Sequence, residues 1–212
     1  MRRERRCQGR KRKTVVSPRK SPEFRLQSGP GESILSAATR KATVMRIIEI
    51  EERNAPLLRR LLNIWERSVR ATHRFLPEPE IRRIAEYVPA ALREVPVLAA
   101  AVNGADEPVA FMGIAGNKLE MLFVAPEERG KGVGRLLLRH AVEARGVREV
   151  DVNEQNPQAR GFYERLGFRV CGRSETDGQG CPYPILHMRL SADSGLTPPE
   201  ASGTCREGSS ES

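Results

Sequence analysis

The sequence predicts an α/β fold in which helices cover both faces of one mixed sheet. Apolar residues recur with the alternation of strands in some segments and with helical spacing in others, and Pro and Gly separate these segments. The segments follow the order β-α-α-β-β-β-α-β-α-β-β, which is typical of a mixed sheet packed between helices. The 212 residues leave room for one such domain with its own core, and for tails at both ends.

Seven segments have the pattern of strands and four that of helices. The predicted strands are Arg46–Glu51, Val97–Val102, Pro108–Ala115, Leu119–Val124, Glu149–Asn153, Phe168–Gly172 and Ile185–Leu190. The predicted helices are Pro56–Thr72, Pro79–Glu94, Val133–Ala144 and Pro157–Leu166. We expect the second helix to be interrupted at Pro89, because proline lacks a backbone N–H. We expect Gly167 to close the fourth helix at its C-cap, and Gly116-Asn117 to form a short turn.

The net charge of +9 is concentrated at the N-terminus. Residues 1–44 hold 13 Lys and Arg against 3 acidic residues, whereas residues 45–212 hold 23 against 24. A domain that grips nucleic acid normally carries the positive charge on its own folded surface. The folded body is therefore not expected to bind nucleic acid. The basic residues 1–44 leave three interpretations open: an arm that binds nucleic acid, an arm for targeting or for an acidic partner, or an extension without a role.

Composition divides the chain into three parts. Residues 1–44 are rich in Arg, Lys, Ser, Pro and Gly and are expected to be a disordered basic extension, residues 45–191 the domain, and residues 192–212 a disordered tail. No apolar run approaches the roughly 20 residues of a membrane span, and no apolar segment of a signal peptide follows the basic start. We therefore expect a cytoplasmic protein without membrane contact. The four cysteines form no CxxC pair, so no metal is expected.

A Gly-rich basic loop follows the fourth predicted strand and opens into the third helix. Here the backbone can bend so that several N–H groups converge, and the helix N-terminus adds partial positive charge. Arg129 and Lys131 add full charges, so the loop can hold a pyrophosphate. A Walker A loop would need Gly where Ala125 stands, and the third glycine of a Rossmann fingerprint comes too early, at Gly134. The pattern that fits is R-x-x-G-x-G.

A second motif follows about twenty residues later, in N-x-x-A-x-x-F-Y-x-x-x-G-F. Its positions are Asn156, Ala159, Phe162, Tyr163, Gly167 and Phe168. The R-x-x-G-x-G loop comes before this motif, and the segment 119–124 before the loop looks like the central strand of a known family. In these features the chain resembles the GNAT superfamily of acetyl-CoA-dependent N-acetyltransferases. The resemblance covers about residues 45–191, and its specific motifs lie within residues 119–168.

The resemblance implies the placement of the cofactor, acetyl-CoA. In similar proteins the mostly antiparallel sheet splays between strands 4 and 5, and the pantetheine arm lies in that gap. The strand residues that would line it are Met121, Leu122, Phe123 and Val124. A backbone N–H near Phe123 or Val124 would stabilise the developing oxyanion. The residues expected at the pyrophosphate are Arg129, Gly130, Lys131, Gly132, Val133, Gly134 and Arg135.

The resemblance also implies that Tyr163 is the catalytic acid that protonates the leaving thiolate. Adjacent helix positions point about 100° apart, so we expect Phe162 to pack inward while Tyr163 faces the cofactor. Asn156, at a helix start, is expected either to cap the helix or to bind the cofactor.

The acceptor amine must lose a proton, and Glu120 is the candidate catalytic base, acting directly or through water. Since Glu120 lies four residues before Val124, we expect both side chains on one face of the strand. The candidates for the acceptor site are His73 and Phe75, after the first helix, and His187 on the last strand.

These observations predict direct acetyl transfer from acetyl-CoA to a primary amine, either of a small molecule or of a protein lysine or N-terminus. The alternative is a non-catalytic acyl-CoA-binding sensor, which would not need Tyr163. A homodimer is a further expectation, since dimers are common among similar proteins.

Overall fold

The computed structural model of the protein describes residues 45–192 and residue 194. The N-terminal extension and most of the C-terminal tail expected from the sequence lie outside the described residues. Within them, the order of the elements is the predicted one. The strands are β1 Arg46–Glu49, β2 Val97–Val102, β3 Pro108–Ala115, β4 Lys118–Val124, β5 Glu149–Asn153, β6 Phe168–Ser174 and β7 Ile185–Leu190. The helices are α1 Ala55–Thr72, α2 Glu78–Glu94, α3 Val133–Arg145 and α4 Pro157–Arg165.

The strands form one sheet in the order β1-β2-β3-β4-β5-β7-β6, and the predicted mixed α/β class is confirmed. Among the described strands, neighbours run antiparallel except β4 and β5, which are parallel. The ladder between β4 and β5 contains two pairs, Lys118↔Glu149 and Leu119↔Val150. Beyond Leu119 the two strands part, as the resemblance implied. The edge of β4 that faces β5 is therefore open over Met121–Val124.

The two faces of the sheet carry separate cores, and β2 shows how the chain builds both. Leu98 and Ala100 pack under α1 and α2 with Phe111 of β3. Ala99 and Ala101 point the other way, into a core with the apolar stripe of α3. Strand residues alternate between faces, so each strand serves both helical layers. The helices therefore lie on both faces, as predicted.

Helix α2 corrects one prediction, because it continues through Pro89. Proline removes the hydrogen bond that its N–H would make to the carbonyl of Ala85. The buried residues Ile81, Val88 and Leu92 lie on both sides of this point and hold the helix against the same core. Packing thus outweighs the local preference for a break.

None of the helices in residues 45–192 has the length and apolar character that a bilayer span requires.

Three strand ends also differ from the prediction, and the smallest change is at β4, which begins one residue earlier, at Lys118. β1 ends at Glu49, although the Ile50 N–H still donates to Leu98 O at 2.8 Å. β6 continues to Ser174, with a register shift between Val170 and Gly172. At the end of α4, Gly167 has a φ of +92°, as expected of a residue that closes a helix.

Candidate active site

The parting of β4 from β5 opens a cavity of about 1020 Å³. Its walls are β4 from Leu119 to Val124, β5 from Val150 to Asn153, the loop before α3, and one side of α4. The end of α1 closes a further side with Ser68, Thr72 and His73. The cavity is therefore built where the sheet lacks a strand pair, and one of its walls is the unpaired edge of β4.

The loop between β4 and α3 presents backbone N–H groups to this cavity. Gly130 and Gly132 have φ values of +75° and +84°, a conformation that favours glycine. The first hydrogen bond of the helix runs from Leu136 N–H to Gly132 O at 2.9 Å, so three earlier N–H groups have no acceptor within α3. They belong to Val133, Gly134 and Arg135. No side chain caps this helix start, which leaves a site suited to an anion.

The basic side chains of the loop differ in their placement. Arg129 lines the cavity, and its Nη2 donates to Gln158 Oε1 of α4 at 2.9 Å. Arg135 also lines the cavity. Lys131 does not, and its Nζ lies 3.3 Å from Glu128 Oε1. The structure thus brings Arg129 and Arg135 to the cavity and leaves the Lys131 side chain outside it.

Tyr163 lies deeply buried at the cavity wall, with 7% of its surface exposed. Its ring makes edge contacts with Phe162 and Phe168, at centroid distances of 5.0 and 5.6 Å. Burial raises the pKa of the phenol well above its usual value, so the hydroxyl stays protonated at neutral pH. Within residues 45–192 and 194, no hydrogen-bond partner occupies this hydroxyl. It is available as a donor.

The rings of Phe162 and Tyr163, neighbours on α4, differ from the expectation in their burial and in the surfaces that they face. Phe162 is only half-buried and lines the cavity beside Gly134, whereas Tyr163 belongs to the buried core. We expected Phe162 to pack inward while Tyr163 faces the cofactor. Both side chains border the cavity, and Phe162, which also packs against the core, is the less buried of the two. The helix meets the cavity along an edge, so positions 100° apart both border it.

Asn156 caps α4, and its Oδ1 accepts from Ala159 N–H at 3.1 Å. This is one of the two roles expected for the residue. Asn156 is also buried at the cavity wall. A contact from its amide nitrogen to a cofactor stays a prediction.

A bulge in β4 changes the direction of Glu120. Leu119 pairs with Ile114 and Met121 with Gly113, so Glu120 is the extra residue. Leu119 and Val124 consequently pack in the same core, although they are five residues apart. Glu120 points to the opposite face, towards Lys118 Nζ at 3.5 Å, and it borders the cavity. The expectation that Glu120 and Val124 share a face was wrong, because the bulge shifts the alternation.

His73 and Phe75 lie together at the end of α1, with ring centroids 5.4 Å apart. Phe75 in turn contacts Tyr183 of the β6–β7 connection at 5.9 Å. Of these rings, only that of His73 borders the cavity. Tyr183 was not predicted from the sequence. Its position between Pro182 and Pro184 gives no periodicity, and the ring reaches Phe75 only through the tertiary fold.

His187 lies one strand beyond the cavity, in a polar chain that crosses three strands. Its Nε2 contacts Ser174 Oγ and its Nδ1 contacts Asp151 Oδ1, both at 2.7 Å. Asp151 borders the cavity and also pairs with Lys118 Nζ at 2.9 Å. Partial burial opposes ionisation of Asp151, but the hydrogen bonds from Lys118 and His187 outweigh it and lower the pKa. His187 therefore reaches the cavity only through Asp151.

The described residues contain no group of three or more His, Cys, Asp and Glu side chains arranged to hold a metal ion. Cys171 and Cys181 are free thiols.

Residues 90–192 match a family model described as an acetyltransferase (GNAT) domain. The chain is 46% identical over 129 residues to the peptidyl-lysine N-acetyltransferase YjaB of Salmonella typhimurium, covering 61% of this chain and 88% of the relative. It is 47% identical over 128 residues to YjaB of Escherichia coli, covering 60% and 86%. The solution structure of apo-form YjaB from Escherichia coli matches with a TM-score of 0.63 at 42% identity, over 69% of this chain and 97% of that chain.

Proposed function

Since the chain belongs to the GNAT family of N-acetyltransferases, we propose that it transfers the acetyl group of acetyl-CoA to the ε-amine of a lysine in a peptide or protein. The observation that carries this proposal is the gap between β4 and β5. There, an unpaired strand edge, an anion-binding helix start and a protonated tyrosine border one cavity.

The loop before α3 fits the pyrophosphate of a CoA donor. The backbone N–H groups at the start of α3 would hold phosphate oxygens, and the Arg129 and Arg135 side chains would add charge-assisted hydrogen bonds. Gly132 lacks a Cβ at the point where the phosphates would approach, and it has a φ that a side chain rarely adopts. The Lys131 side chain would act only at longer range, since it lies outside the cavity.

The open edge of β4 fits the pantetheine arm and the thioester. When bound, acetyl-CoA supplies an activated acyl carbon and a thiolate leaving group. Peptide groups of Met121–Val124 that lack a strand neighbour can pair with the amides of the arm. A backbone N–H near Phe123 or Val124 would donate to the carbonyl oxygen as negative charge develops there.

Tyr163 would donate its proton to the leaving sulfur. Its high pKa keeps the phenol neutral, and the hydroxyl has no competing partner within the described residues. The rings of Phe162 and Phe168 fix the phenol in place. A neutral donor held at one position is suited to protonate a thiolate as it forms.

A lysine acceptor is supported by two observations. The relatives that share 46% and 47% identity with this chain are named peptidyl-lysine N-acetyltransferases. The cavity is also bordered by the carboxylate of Glu120. Its neighbour Lys118 lies 3.5 Å away and binds Asp151 more closely, at 2.9 Å, so Glu120 would attract an acceptor ammonium.

Lysine-containing peptides test the proposal. We expect the full chain to release free CoA from acetyl-CoA when such peptides are added, and mass spectrometry to place the acetyl group on the lysine side chain. Matched peptides with arginine in place of lysine and a blocked N-terminus serve as the control. CoA release that depends on small amines and not on any lysine peptide would contradict the proposed acceptor while leaving acetyl transfer intact.

The proposed domain boundary gives a second prediction. A protein limited to residues 45–192 should bind acetyl-CoA about as well as the full chain, because every residue that borders the cavity lies within it. Calorimetric titration of both proteins measures this. A large loss of affinity in the shorter protein would assign residues 1–44 or the C-terminal tail a part in cofactor binding.

A further inference from the structure

The His73 ring is held firmly at the border of the cavity. Its backbone N–H donates to Val69 O at 2.7 Å and so completes the last turn of α1. The ring packs against Phe75 and borders the same cavity as Phe123 and Tyr163. A half-buried imidazole in such a position can exchange a proton with a group bound in the cavity.

The hydrogen bonds around Thr72 determine which ring nitrogen of His73 carries the proton. Thr72 Oγ1 lies 2.8 Å from the Ser68 carbonyl oxygen and 2.8 Å from His73 Nδ1. A hydroxyl has one proton, and a carbonyl can only accept. Both contacts are hydrogen bonds only if Thr72 donates to Ser68 and accepts from an Nδ1–H of His73. Nε2 then carries the lone pair.

The Nε2 lone pair has no protein partner within residues 45–192 and 194. Burial lowers the pKa of His73, and the positive charge of Arg129 lowers it further. The imidazole is therefore neutral at physiological pH. A neutral imidazole with a free Nε2 is a competent base.

Other groups at the cavity are less suited to take a proton from the acceptor. Glu120 already faces the Lys118 ammonium at 3.5 Å, and Asp151 holds Lys118 and His187. The remaining charged groups that border the cavity are Glu128, Arg129, Arg135 and Arg165. Tyr183, which reaches this corner through Phe75, is a phenol whose pKa is raised chiefly by burial.

We infer that His73 is the general base that deprotonates the acceptor ammonium, with Thr72 as the residue that positions it. One N–H bond of the ammonium breaks as Nε2–H forms, and the freed amine lone pair attacks the acyl carbon. The imidazolium returns the proton to solvent after the product leaves. This inference rests on the proposed function and assigns to His73 the task for which the sequence suggested Glu120.

The tautomer can be measured without any substrate. The full chain contains three histidines, so variants with His73, His140 or His187 replaced assign the imidazole signals in ¹⁵N NMR spectra. We expect His73 to be neutral at pH 7 with the proton on Nδ1, and to titrate below the ordinary value of 6.5. In Thr72→Val the preference for a proton on Nδ1 should weaken, whereas Thr72→Ser, which keeps the hydroxyl, should retain it. A His73 that is charged at pH 7, or that carries its proton on Nε2, overturns the inference.

Kinetics of His73→Ala with a lysine peptide test the role itself. At pH 7 kcat should fall about 10²-fold or more, the low end of what a positioned base contributes. Acetyl-CoA affinity should stay within about twofold, and added imidazole should restore part of kcat, which a purely structural role would not allow. His140→Ala, on α3 beside Glu49 of β1 and outside the cavity, is the matched control and should keep wild-type kcat.

The pH profile separates a base from a structural residue. A lowered pKa leaves the imidazole neutral at all pH values above it. Because kcat/KM reports the protonation of the free enzyme, the wild-type kcat/KM for the peptide should rise through a midpoint below 6.5 and then level off. His73→Ala should lack this rise, whereas Glu120→Gln should keep it. Near-wild-type kcat in His73→Ala, or a loss on which imidazole has no effect, overturns the inference.

If the wild type acetylates no lysine peptide, the proposed acceptor is wrong. The same variants are then compared on the amine that does react, since any ammonium must lose a proton.

Discussion

Replacing Tyr163 by Phe is expected to lower the turnover of acetyl transfer by roughly 10²-fold or more, the scale for loss of a positioned acid. The ring contacts with Phe162 and Phe168 would remain, since only the hydroxyl is removed. That hydroxyl has no hydrogen-bond partner within the described residues, so its removal leaves no buried group unpaired. Folding should therefore be almost unaffected, and the loss should appear in kcat.

The affinity for acetyl-CoA should change little in Tyr163→Phe, because the hydroxyl acts mainly as the thiolate forms. Calorimetry on the same protein measures this directly. Tyr87→Phe, on the exposed face of α2, is the matched control and should behave as wild type. Suppose that a folded Tyr163→Phe protein keeps near-wild-type turnover on a substrate for which chemistry is rate-limiting. Tyr163 would then be a packing residue, and the leaving thiolate would take its proton from water.

Replacing Gly132 by Val is expected to weaken acetyl-CoA binding by roughly 10- to 100-fold. Gly132 has a φ of +84° at the start of α3, where a β-branched residue is strained by about 1–3 kcal/mol. Relief of that strain would turn the N–H groups of Val133 and Gly134 away from the cavity. The new side chain would also stand where the phosphates approach. Each 1.4 kcal/mol of lost interaction is a tenfold loss of affinity.

Gly116→Val provides the matched control for this variant. Gly116 also has a positive φ, of +59°, but it lies in the β3–β4 turn, and a Cβ there meets no atom within 4 Å. Both variants should lose stability in thermal unfolding, whereas only Gly132→Val should lose acetyl-CoA affinity in calorimetric titration. Equal affinities in the two folded variants would remove the loop from the cofactor site.

Strand and helix positions follow closely from local sequence in this protein. The bounds of β2, β3, β5 and β7 agree with the alternation of apolar residues and the Pro and Gly that flank them. α2 is the exception at Pro89. Its local preference for a break was outweighed by the burial of Val88 and Leu92, which pack against strands close to them only in the folded chain.

The sequence alone determined the order of elements, the Gly-rich loop at a helix start and the family to which these belong. Each depends on residues that are near neighbours in the chain, where spacing and backbone preference act directly. Only the tertiary structure decided how the site residues face one another. The bulge that turns Glu120 away from Val124 arises from pairing with β3, and Tyr183 reaches Phe75 across more than a hundred residues. The proton position on His73 depends on Ser68 and Thr72, which are near it in the chain. Its lowered pKa and its place at the cavity are tertiary, because burial and the approach of Arg129 exist only once the distant segments have packed.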